Sequence, residues 1–582
     1  MRITYNDKLN KLLNPYLESL LKEKTSLEPE TLTLFDMFME DLDMGGRYGI
    51  FSEILEPRLE EIIREENIES IANLMDGKLH KLFHYMLGDE FATLFRTYLQ
   101  LEARCPHTIG YDRRAQRSTH PSNHLDHARD AWLQFLKLRA TGFSVEAILK
   151  GGNTPEDIEE FSGYMNSSYW LAAQIAQGNE TVIEYLHQVL TSENNANRLQ
   201  RWYLHAIAIS GHRPLLELEG KLLLAAKLQE GLRQAIVETM DEGCPESYLY
   251  LFSIIYHNGL QRFASVKRSI AVCTGIGEQD SSERITNKYV DLIWNFLNHP
   301  EAARNTLQSK DTVELYLALW SIGFYDTDEI RVIVPDIIRK GAKHQIQTLL
   351  YFLRCTQSSQ MNHLISKDAF EVWHDDPKVV AAILPLYMDG LYLSRYSDNK
   401  ETPALSDYFE TPEEAVRQYE YLKQVYQSIS AKETYSPYVF PWDSIILTRS
   451  DVVLKMAYIA WMTNDARLRE ELCEYLPALE SYSRASYIGI VMAHTESKVE
   501  QEYVLQSLGD RSTDIRDEAY KVLSEMSLSP EQYQSIEELL RFKYSEMRIN
   551  AINLLMKQPK EQLTGSIRRL LSNKNAERRL AG

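Results

Sequence analysis

The chain has 582 residues, several times the length of a single-core domain, so it must divide into domains or grow as a stacked array. It is 44% hydrophobic and 10% aromatic, which excludes a disordered chain. The formal net charge of −20 argues against a protein that wraps nucleic acid or covers an anionic membrane along its whole length.

The N-terminal stretch "MRITYNDKLNKLLNPYLESLLKE" is amphipathic and charged, which is not the pattern of a signal peptide. No run approaches the roughly 20 apolar residues of a membrane helix, so no membrane contact is expected. The five cysteines (Cys105, Cys244, Cys273, Cys355 and Cys473) are scattered and form no CxxC pair. They fit reduced thiols, and we expect a cytoplasmic protein.

The first break in the helical pattern is "CPHTIGYDRRAQRSTHP", from Cys105 to Pro121, and a histidine-rich stretch follows it. On a helix starting near Ser122 or Asn123, His124 and His127 share a face and Asp130 lies near it, a set that can bind zinc or iron. The spacing matches no metalloenzyme signature. A capped helix start is the preferred interpretation, and we expect neither a metal nor another cofactor.

Helical patterns fill the middle of the chain, among them "ANRLQRWYLHAIAISG" and "KVVAAILPLYMDGLYL", and alternating β-branched runs are almost absent. The next breaks are "SDNKETPALSDYFETP" and "ETYSPYVFPWDS". They suggest four parts: an acidic N-terminal helical region at 1–120, an irregular helical array at 121–396, a loop-rich connection at 397–444 and repeats at 445–582. The 34 tyrosines are interpreted mainly as core residues of helical hairpins, although exposed tyrosines suit protein interfaces.

The last part repeats itself. The apolar stripes of its first helices recur at a shift of 32 and those of its second helices at a shift of 31. The first stripe is Ile515, Ala519, Val522, Leu523 and Met526, repeated by Met547, Ala551, Leu554 and Leu555. In the second helix Ser529 is a cap and Pro530 the first helical residue. One helical hairpin cannot bury its own apolar face, so neighbouring hairpins are expected to stack.

These residues resemble the HEAT and armadillo family of α-solenoids in a short form, through Asp514, Arg516 and Ala519 and through Glu546, Arg548 and Ala551. The resemblance implies an all-α solenoid of stacked helical hairpins, irregular before the repeats. It also implies that the acidic residues and arginines form a ladder between adjacent repeats. The whole chain is similar, more loosely, to the N-terminal helical region of large bacterial proteins with a molybdate-regulator-like domain of uncharacterised function.

The C-terminal tail differs in charge from the rest of the chain. From Arg541 to Gly582, ten basic and three acidic residues give a net charge of +7, which leaves −27 for the preceding residues. Lys543, Arg568, Arg569 and Lys574 are therefore the candidate partner-binding residues. The end of the tail is similar to the opening of a further helix, so we expect the array to continue beyond residue 582.

No nucleotide-binding, nucleophile-elbow or zinc-protease motif occurs in the chain, and we expect no catalysis within it. The sequence favours a protein-interaction scaffold that presents an extended solenoid surface to a protein partner. Two alternatives stay open. One is a HEAT-like binder of nucleic acid or phosphate through the basic repeats, and the other is a regulatory region of an enzyme whose catalytic part lies outside this chain.

Overall fold

The structure is a computed structural model, and it describes residues 7–44, 54–109, 113–141, 167–192, 199–226, 229–277, 284–356, 359–396, 402–435, 444–542 and 544–582. Within these residues the regular secondary structure is helical apart from two short two-stranded sheets, which confirms the all-α prediction. No helix of the described part is both long and apolar enough to cross a membrane.

The chain divides into two compact units. Unit 1 comprises Met1–Ile333 with Cys355–Gln357, and unit 2 comprises Val334–Arg354 with Ser358–Gly582. The division falls within two helices, α18 (Thr327–Lys340) and α19 (Lys343–Thr356). The four parts predicted from the sequence have other boundaries and stay predictions.

Unit 1 contains the first seventeen described helices and the first sheet. The helices are α1 Asp7–Glu23, α2 Pro29–Met44, α3 Leu55–Glu65, α4 Ile71–Asp76, α5 His80–Leu87, α6 Asp89–Arg104, α7 Leu125–Thr141, α8 Ser167–Ala176, α9 Glu180–Thr191, α10 Arg201–Ser210, α11 Arg213–Ala225, α12 Glu230–Asp241, α13 Pro245–Asn258, α14 Ala264–Cys273, α15 Asn287–Asn298, α16 Pro300–Thr306 and α17 Thr312–Tyr325. Strands β1 (His107–Ile109) and β2 (Arg113–Ala115) pair antiparallel. This hairpin lies in the first segment that the sequence marks as non-helical.

The N-terminal helices of unit 1 enclose an aromatic core. Trp132 of α7 is fully buried. Its ring centroid lies 4.5 Å from those of Phe38 on α2 and Phe83 on α5, and Phe95 of α6 is also within aromatic contact distance. Aromatic rings at these separations add specific stacking and edge contacts to the burial of apolar surface. Through Phe95, α6 is part of this core, and α6 also packs against α8, the next helix of unit 1 described below.

From α6 onward, helices that alternate along the chain contact one another. Helix α6 packs against α8, α8 against α10, α10 against α12 and α12 against α14. The intervening helices do the same, α9 against α11, α11 against α13 and α13 against α15. Helices α8, α10 and α12 of the first set also contact the next helix along the chain, which belongs to the second set. Unit 1 therefore has two rows of helices after its N-terminal core.

Unit 2 contains the helices that follow α19 and the second sheet, besides its parts of α18 and α19. The helices are α20 Ser359–Trp373, α21 Pro377–Ile383, α22 Pro412–Ser428, α23 Arg449–Thr463, α24 Ala466–Leu472, α25 Ser481–Val491, α26 Lys498–Ser507, α27 Thr513–Glu525, α28 Pro530–Leu539, α29 Ser545–Leu555, α30 Lys560–Leu571 and α31 Ala576–Ala581. Strands β3 (Lys432–Tyr435) and β4 (Ile445–Thr448) pair antiparallel. Alternate helices again contact each other, α23 with α25, α25 with α27 and α27 with α29 in one row, and α24 with α26, α26 with α28 and α28 with α30 in the other.

The apolar stripes predicted from the repeat face the interior of unit 2. Ile515 and Ala519 of α27 are fully buried, and Met547 and Ala551 of α29 are buried at the equivalent positions. Helix α28 begins as predicted, because the Ser529 side chain accepts from the backbone of Gln532, the Gln532 side chain bonds back, and Pro530 opens the helix. Helix α7 is different, since it begins at Leu125 after a short turn at Pro121–Asn123 rather than at Ser122 or Asn123.

Candidate interaction surfaces

The predicted partner-binding residues of the C-terminal tail are only partly available to a partner. Arg569 donates from Nη2 to Glu537 Oε1 at 2.6 Å and from Nε to Glu537 Oε2 at 3.2 Å. Arg568 and Lys574 are exposed, and no ion pair of theirs occurs within the described residues. Lys543 lies outside the described residues.

Other basic side chains of the tail are also paired. Arg578 forms an ion pair with Glu538, and Arg548 forms one with Glu577. Lys557 Nζ donates to the backbone carbonyl of Ser524 at 2.6 Å. The positive charge of the tail is therefore partly neutralised by neighbouring acids and carbonyls.

Two arginines of the predicted ladder lie close to a glutamate one repeat further on. Arg516 Nη2 lies 3.8 Å from Glu546 Oε2, one repeat further on, while its Nη1 donates to the carbonyls of Asp510 and Arg511. Arg548 pairs with Glu577 in the same direction along the chain. Asp514 pairs with Arg395 instead, a residue far outside the repeats.

The histidine-rich stretch is described only in part. His124 is buried, and its Nε2 bonds the backbone carbonyl of Ser118. His124 immediately precedes α7, and its carbonyl accepts from the backbone amide of Ala128 at 2.8 Å. The side chains of His127 and Asp130 lie outside the described part of the chain. Among the described residues no group of three or more His, Cys, Asp or Glu side chains could hold a metal ion.

A non-helical segment in unit 1, residues 113–119, lies across several helices, and we call it the first crossing segment. Its Arg114 donates from Nη1 to Asp241 Oδ2 at 3.2 Å, at the end of α12, and from Nη2 to Glu242 Oε1 at 2.9 Å. Its Gln116 donates from Nε2 to the carbonyl of Trp320 on α17 at 2.7 Å. These contacts span more than 120 residues of sequence.

The far end of the first crossing segment reaches the start of α18. Thr327 Oγ1 donates to the carbonyl of Arg117 at 3.0 Å, and Ser118 Oγ donates to Asp328 Oδ1 at 3.1 Å. Arg117 Nη1 also lies 3.8 Å from Oε1 of Glu102 on α6. The helices of unit 1 thus recognise both the side chains and the backbone of this segment.

The anchor of this segment is a buried polar cluster. Asp241 is fully buried, and desolvation raises its pKa to about 6 although Arg114 opposes the rise. Burial also raises the pKa of Cys273, whose thiol lies against the same carboxyl group. The adjoining cavity, lined in part by Tyr248 and Trp320, measures about 50 Å³. A cavity of that size accommodates only a few water molecules, so the cluster is an anchor for the segment rather than a metabolite pocket.

Unit 2 contains a similar arrangement. Residues 391–396, the second crossing segment, lie across α23, α25 and α27. Tyr458 of α23 donates to the carbonyl of Leu391 at 2.9 Å, and the Arg395 backbone amide donates to Ser486 Oγ of α25 at 3.2 Å. The Arg395 guanidinium pairs with Asp514 and with Glu518, both on α27.

The start of the second crossing segment is fixed by His363. His363 Nδ1 accepts from the backbone amide of Met388 at 2.9 Å, and its Nε2 lies 3.1 Å from the Tyr408 carbonyl. Because Nδ1 is an acceptor, Nε2 carries the hydrogen, and the ring is held neutral by both bonds. Met388 has a φ of 52°, a backbone conformation that costs free energy in a residue with a side chain. The histidine therefore holds a strained turn that directs the chain across the helices.

The sequence shows the breaks in the helical pattern but not the contacts that these segments make. The sequence marks residues 105–121 as non-helical, whereas residues 391–393 stand at the end of a stretch with a helical pattern. In the sequence, a polar composition marks the first crossing segment. The second crossing segment is marked only by the closely spaced Gly390, Tyr392, Ser394 and Tyr396.

Comparisons with known proteins give a family but no function. A family model described as "Family of unknown function (DUF5724)" matches residues 34–582. No curated protein and no solved structure matches the chain.

Proposed function

This chain belongs to the DUF5724 family of unknown function, and we propose that it is a non-catalytic scaffold, an α-solenoid whose helix rows bind extended segments of a protein partner. The observation that carries the proposal is the pair of crossing segments. In each unit, a non-helical stretch of the chain lies across successive helices and is recognised by their side chains. A surface that holds its own chain in this way has the chemistry to hold another.

The solenoid part of the proposal is supported by contacts at a constant spacing. Arg469 pairs with Glu500, 31 residues further on, with Nη2 and Oε2 2.8 Å apart. Gln532 Nε2 donates to Gln501 Oε1 at 3.3 Å, again at a separation of 31. Arg569 and Glu537 repeat the relation at 32. Equal spacing between contacting positions is expected of stacked repeats, since each hairpin then meets the next in the same way.

The absence of catalysis is proposed from the state of the reactive groups. Burial is the largest cause that raises the pKa of the thiols of Cys105, Cys244, Cys273 and Cys473. A thiol with a raised pKa is not a thiolate at neutral pH and is a poor nucleophile. The buried acid Asp241 is engaged by Arg114. These groups serve packing and anchoring better than chemistry.

The basic tail supports nucleic-acid binding less well than it supports the scaffold. Arg548, Arg569 and Arg578 each form an ion pair with a glutamate. An arginine that is already paired contributes less to counterion release on a phosphate backbone. We therefore place the partner contact on the helix rows.

The proposal is tested by selecting a display library of unstructured peptides on the immobilised full-length chain, followed by photo-crosslinking of the selected peptides. We expect selected peptides to compete with one another and to crosslink to the row formed by α25, α27 and α29. A variant with glutamate in place of both Arg568 and Lys574 is the control for charge-driven binding, and it should bind the same peptides. Recovery of no competing peptide, or crosslinks that depend on Arg568 and Lys574, would refute the scaffold.

A further inference from the structure

The second crossing segment presents tyrosine rings to solvent. Tyr392 is 68% exposed and Tyr396 is 72% exposed, and both lie beside Tyr482 of α25. The ring centroids of Tyr396 and Tyr482 are 6.2 Å apart, with an angle of 34° between the ring planes. We call these three residues the tyrosine surface. A cluster of exposed aromatic rings, unlike a single exposed ring, is typical of an interaction surface.

Hydrogen bonds fix the positions of the rings. Tyr392 donates to the Tyr482 hydroxyl at 3.3 Å, and the Tyr482 hydroxyl lies 2.7 Å from Ser394 Oγ. Arg395 donates from Nη2 to the Tyr396 hydroxyl at 2.9 Å, and its guanidinium carbon lies 4.8 Å from the centre of the Tyr396 ring. Rings that are already ordered lose little conformational entropy on binding.

The network also leaves hydrogen-bonding capacity for a ligand. The Tyr396 hydroxyl oxygen accepts from Arg395, so its own hydrogen can point outward. That hydrogen suits a carbonyl group of a bound chain. A polyproline II helix has no internal hydrogen bonds, and all its carbonyls are therefore available to such donors.

Helix α27, which Arg395 contacts, carries Asp514, Asp517 and Glu518, and Lys521 on the same helix also pairs with Glu518. Arg395 has its charge balanced by Asp514 and Glu518 of α27. The Asp514 side chain is still 54% exposed, and Asp517 on the same helix is exposed. The chain as a whole carries a net charge of −20. Exposed carboxylates on α27, the helix to which Arg395 of this surface is bound, favour a basic residue in the ligand and disfavour a phosphate backbone, although tyrosine rings alone could also stack on nucleobases.

We infer that the tyrosine surface binds a proline-rich, polyproline II segment of a partner protein, with an arginine or lysine of that segment against Asp514 and Asp517. Proline rings pack on ordered aromatic rings, and the polyproline II conformation is already extended before binding, so little entropy is lost. This assignment rests on the proposed scaffold function and names the class of its partner.

The test is fluorescence anisotropy on the full-length chain with short labelled peptides. The probe repeats Pro-Pro-Leu and ends in two arginines, and two comparison peptides carry alanine for every proline or glutamate for both arginines. We expect the probe to bind and both comparison peptides to bind at least about tenfold more weakly, a loss of about 1.4 kcal/mol of binding free energy. A labelled single-stranded oligonucleotide is measured in parallel and should not bind at this surface.

Variants then locate the site. Tyr392→Ala and Tyr396→Ala should each weaken probe binding about tenfold, the usual loss for an aromatic anchor. Tyr544→Ala is the matched control, since Tyr544 is also 68% exposed in unit 2 but lies outside the tyrosine surface, and it should change the affinity less than about twofold. Asp517→Lys should weaken binding of the arginine probe and not of a probe with neutral ends. Circular dichroism confirms that these exposed substitutions leave the fold intact.

The inference is overturned if the alanine peptide binds as well as the proline peptide, or if Tyr544→Ala matters as much as Tyr396→Ala. Binding of the oligonucleotide that is lost in Tyr396→Ala would overturn it in favour of nucleic acid. If display-selected peptides crosslink elsewhere on the helix row while the proline probe does not bind, only this inference fails. If no peptide is selected at all, the scaffold function fails with it.

Discussion

The ion pair between Arg114 and Asp241 allows a quantitative test of the first crossing segment. The Arg114 side chain is only 13% exposed and the Asp241 side chain is fully buried. Replacing Arg114 with methionine keeps most of the side-chain volume but removes the charge that stabilises the Asp241 carboxylate. We expect this variant to weaken the attachment of residues 113–119 to α12.

The magnitude follows from the pKa of Asp241, which burial raises to about 6. At pH 7.5, about 1.5 pH units above this value, ionisation of Asp241 lowers the free energy of the native state by about 2 kcal/mol relative to the native state with a protonated carboxyl, at about 1.4 kcal/mol per unit. The raised pKa itself lowers stability as pH rises from about 4 to about 6, because the unfolded carboxyl ionises more easily, and this unfolded-state term is the same with and without Arg114. Without Arg114 the pKa of Asp241 rises further, less of the carboxyl group is ionised at pH 7.5, and up to this 2 kcal/mol of native-state stabilisation is lost. At pH 5.5 Asp241 is largely protonated in the unaltered protein as well, so almost nothing is lost through this route.

At pH 7.5, Arg114→Met should therefore destabilise unit 1 by about 3 kcal/mol. At pH 5.5 the loss should be only about 1 kcal/mol, which comes from the Glu242 contact and packing. The measurement is hydrogen exchange of the amides in residues 113–119 and in α17, because two units make a single unfolding free energy ill defined. Arg104→Met is the matched control, since Arg104 pairs with Glu246 at an exposed site and should cost less than about 1 kcal/mol at either pH. Equal losses for the two variants, or an Arg114→Met loss that does not change between the two pH values, would refute the anchoring role.

Further predictions concern the stability of each unit. Burial lowers the pKa of His363, so the stability that the neutral side chain contributes is fully present above the unfolded pKa of about 6.5 and is lost as the pH falls through the lower folded pKa. The melting temperature of unit 2 should therefore fall on acidification to pH 5, and it should fall less in His363→Gln. Gly243→Ala would place a Cβ 2.6 Å from the Ala208 carbonyl oxygen and should lower the free energy of unfolding by about 1–3 kcal/mol. In Gly231→Ala the new Cβ meets no atom within 4 Å, so this control should be neutral or slightly stabilising. Thermal denaturation measures both. Removing residues 545–582 should leave the remaining helices of unit 2 folded by circular dichroism and limited proteolysis, because stacked repeats contribute stability locally; loss of all unit 2 structure would contradict the solenoid.

The C-terminal repeats were predictable because their signals are local. The burial of Ile515, Ala519, Met547 and Ala551 follows from a 3.6-residue period that a single helix already shows. The cap at Ser529 depends on residues within three positions of it. Periodicity and capping act over one or two turns, so they can be recognised without knowing which helices become neighbours.

The crossing segments could not be predicted, because every contact that defines them is distant in sequence. Arg114 and Asp241 are separated by 127 residues, and Arg395 and Asp514 by 119. Nothing in the sequence marks Gly323 either, yet a Cβ at this position would collide with Gln116 Oε1 of the first crossing segment. A polar loop and a glycine inside a helix carry no information about each other until the helix rows bring them together.

The tyrosines show how the same residue type takes two roles. Tyr316, Tyr387, Tyr419 and Tyr487 are fully buried, in line with the interpretation of tyrosine as a core residue in this chain. Tyr392 and Tyr396 are exposed because they lie in a segment whose backbone is already bonded to α23 and α25, so burying their rings would require breaking those bonds. Their exposure is therefore a consequence of how the segment is anchored, and the anchoring by Arg395 holds the rings in place without covering them. A ring that is fixed but uncovered is the arrangement that favours binding of a partner over further packing within the chain.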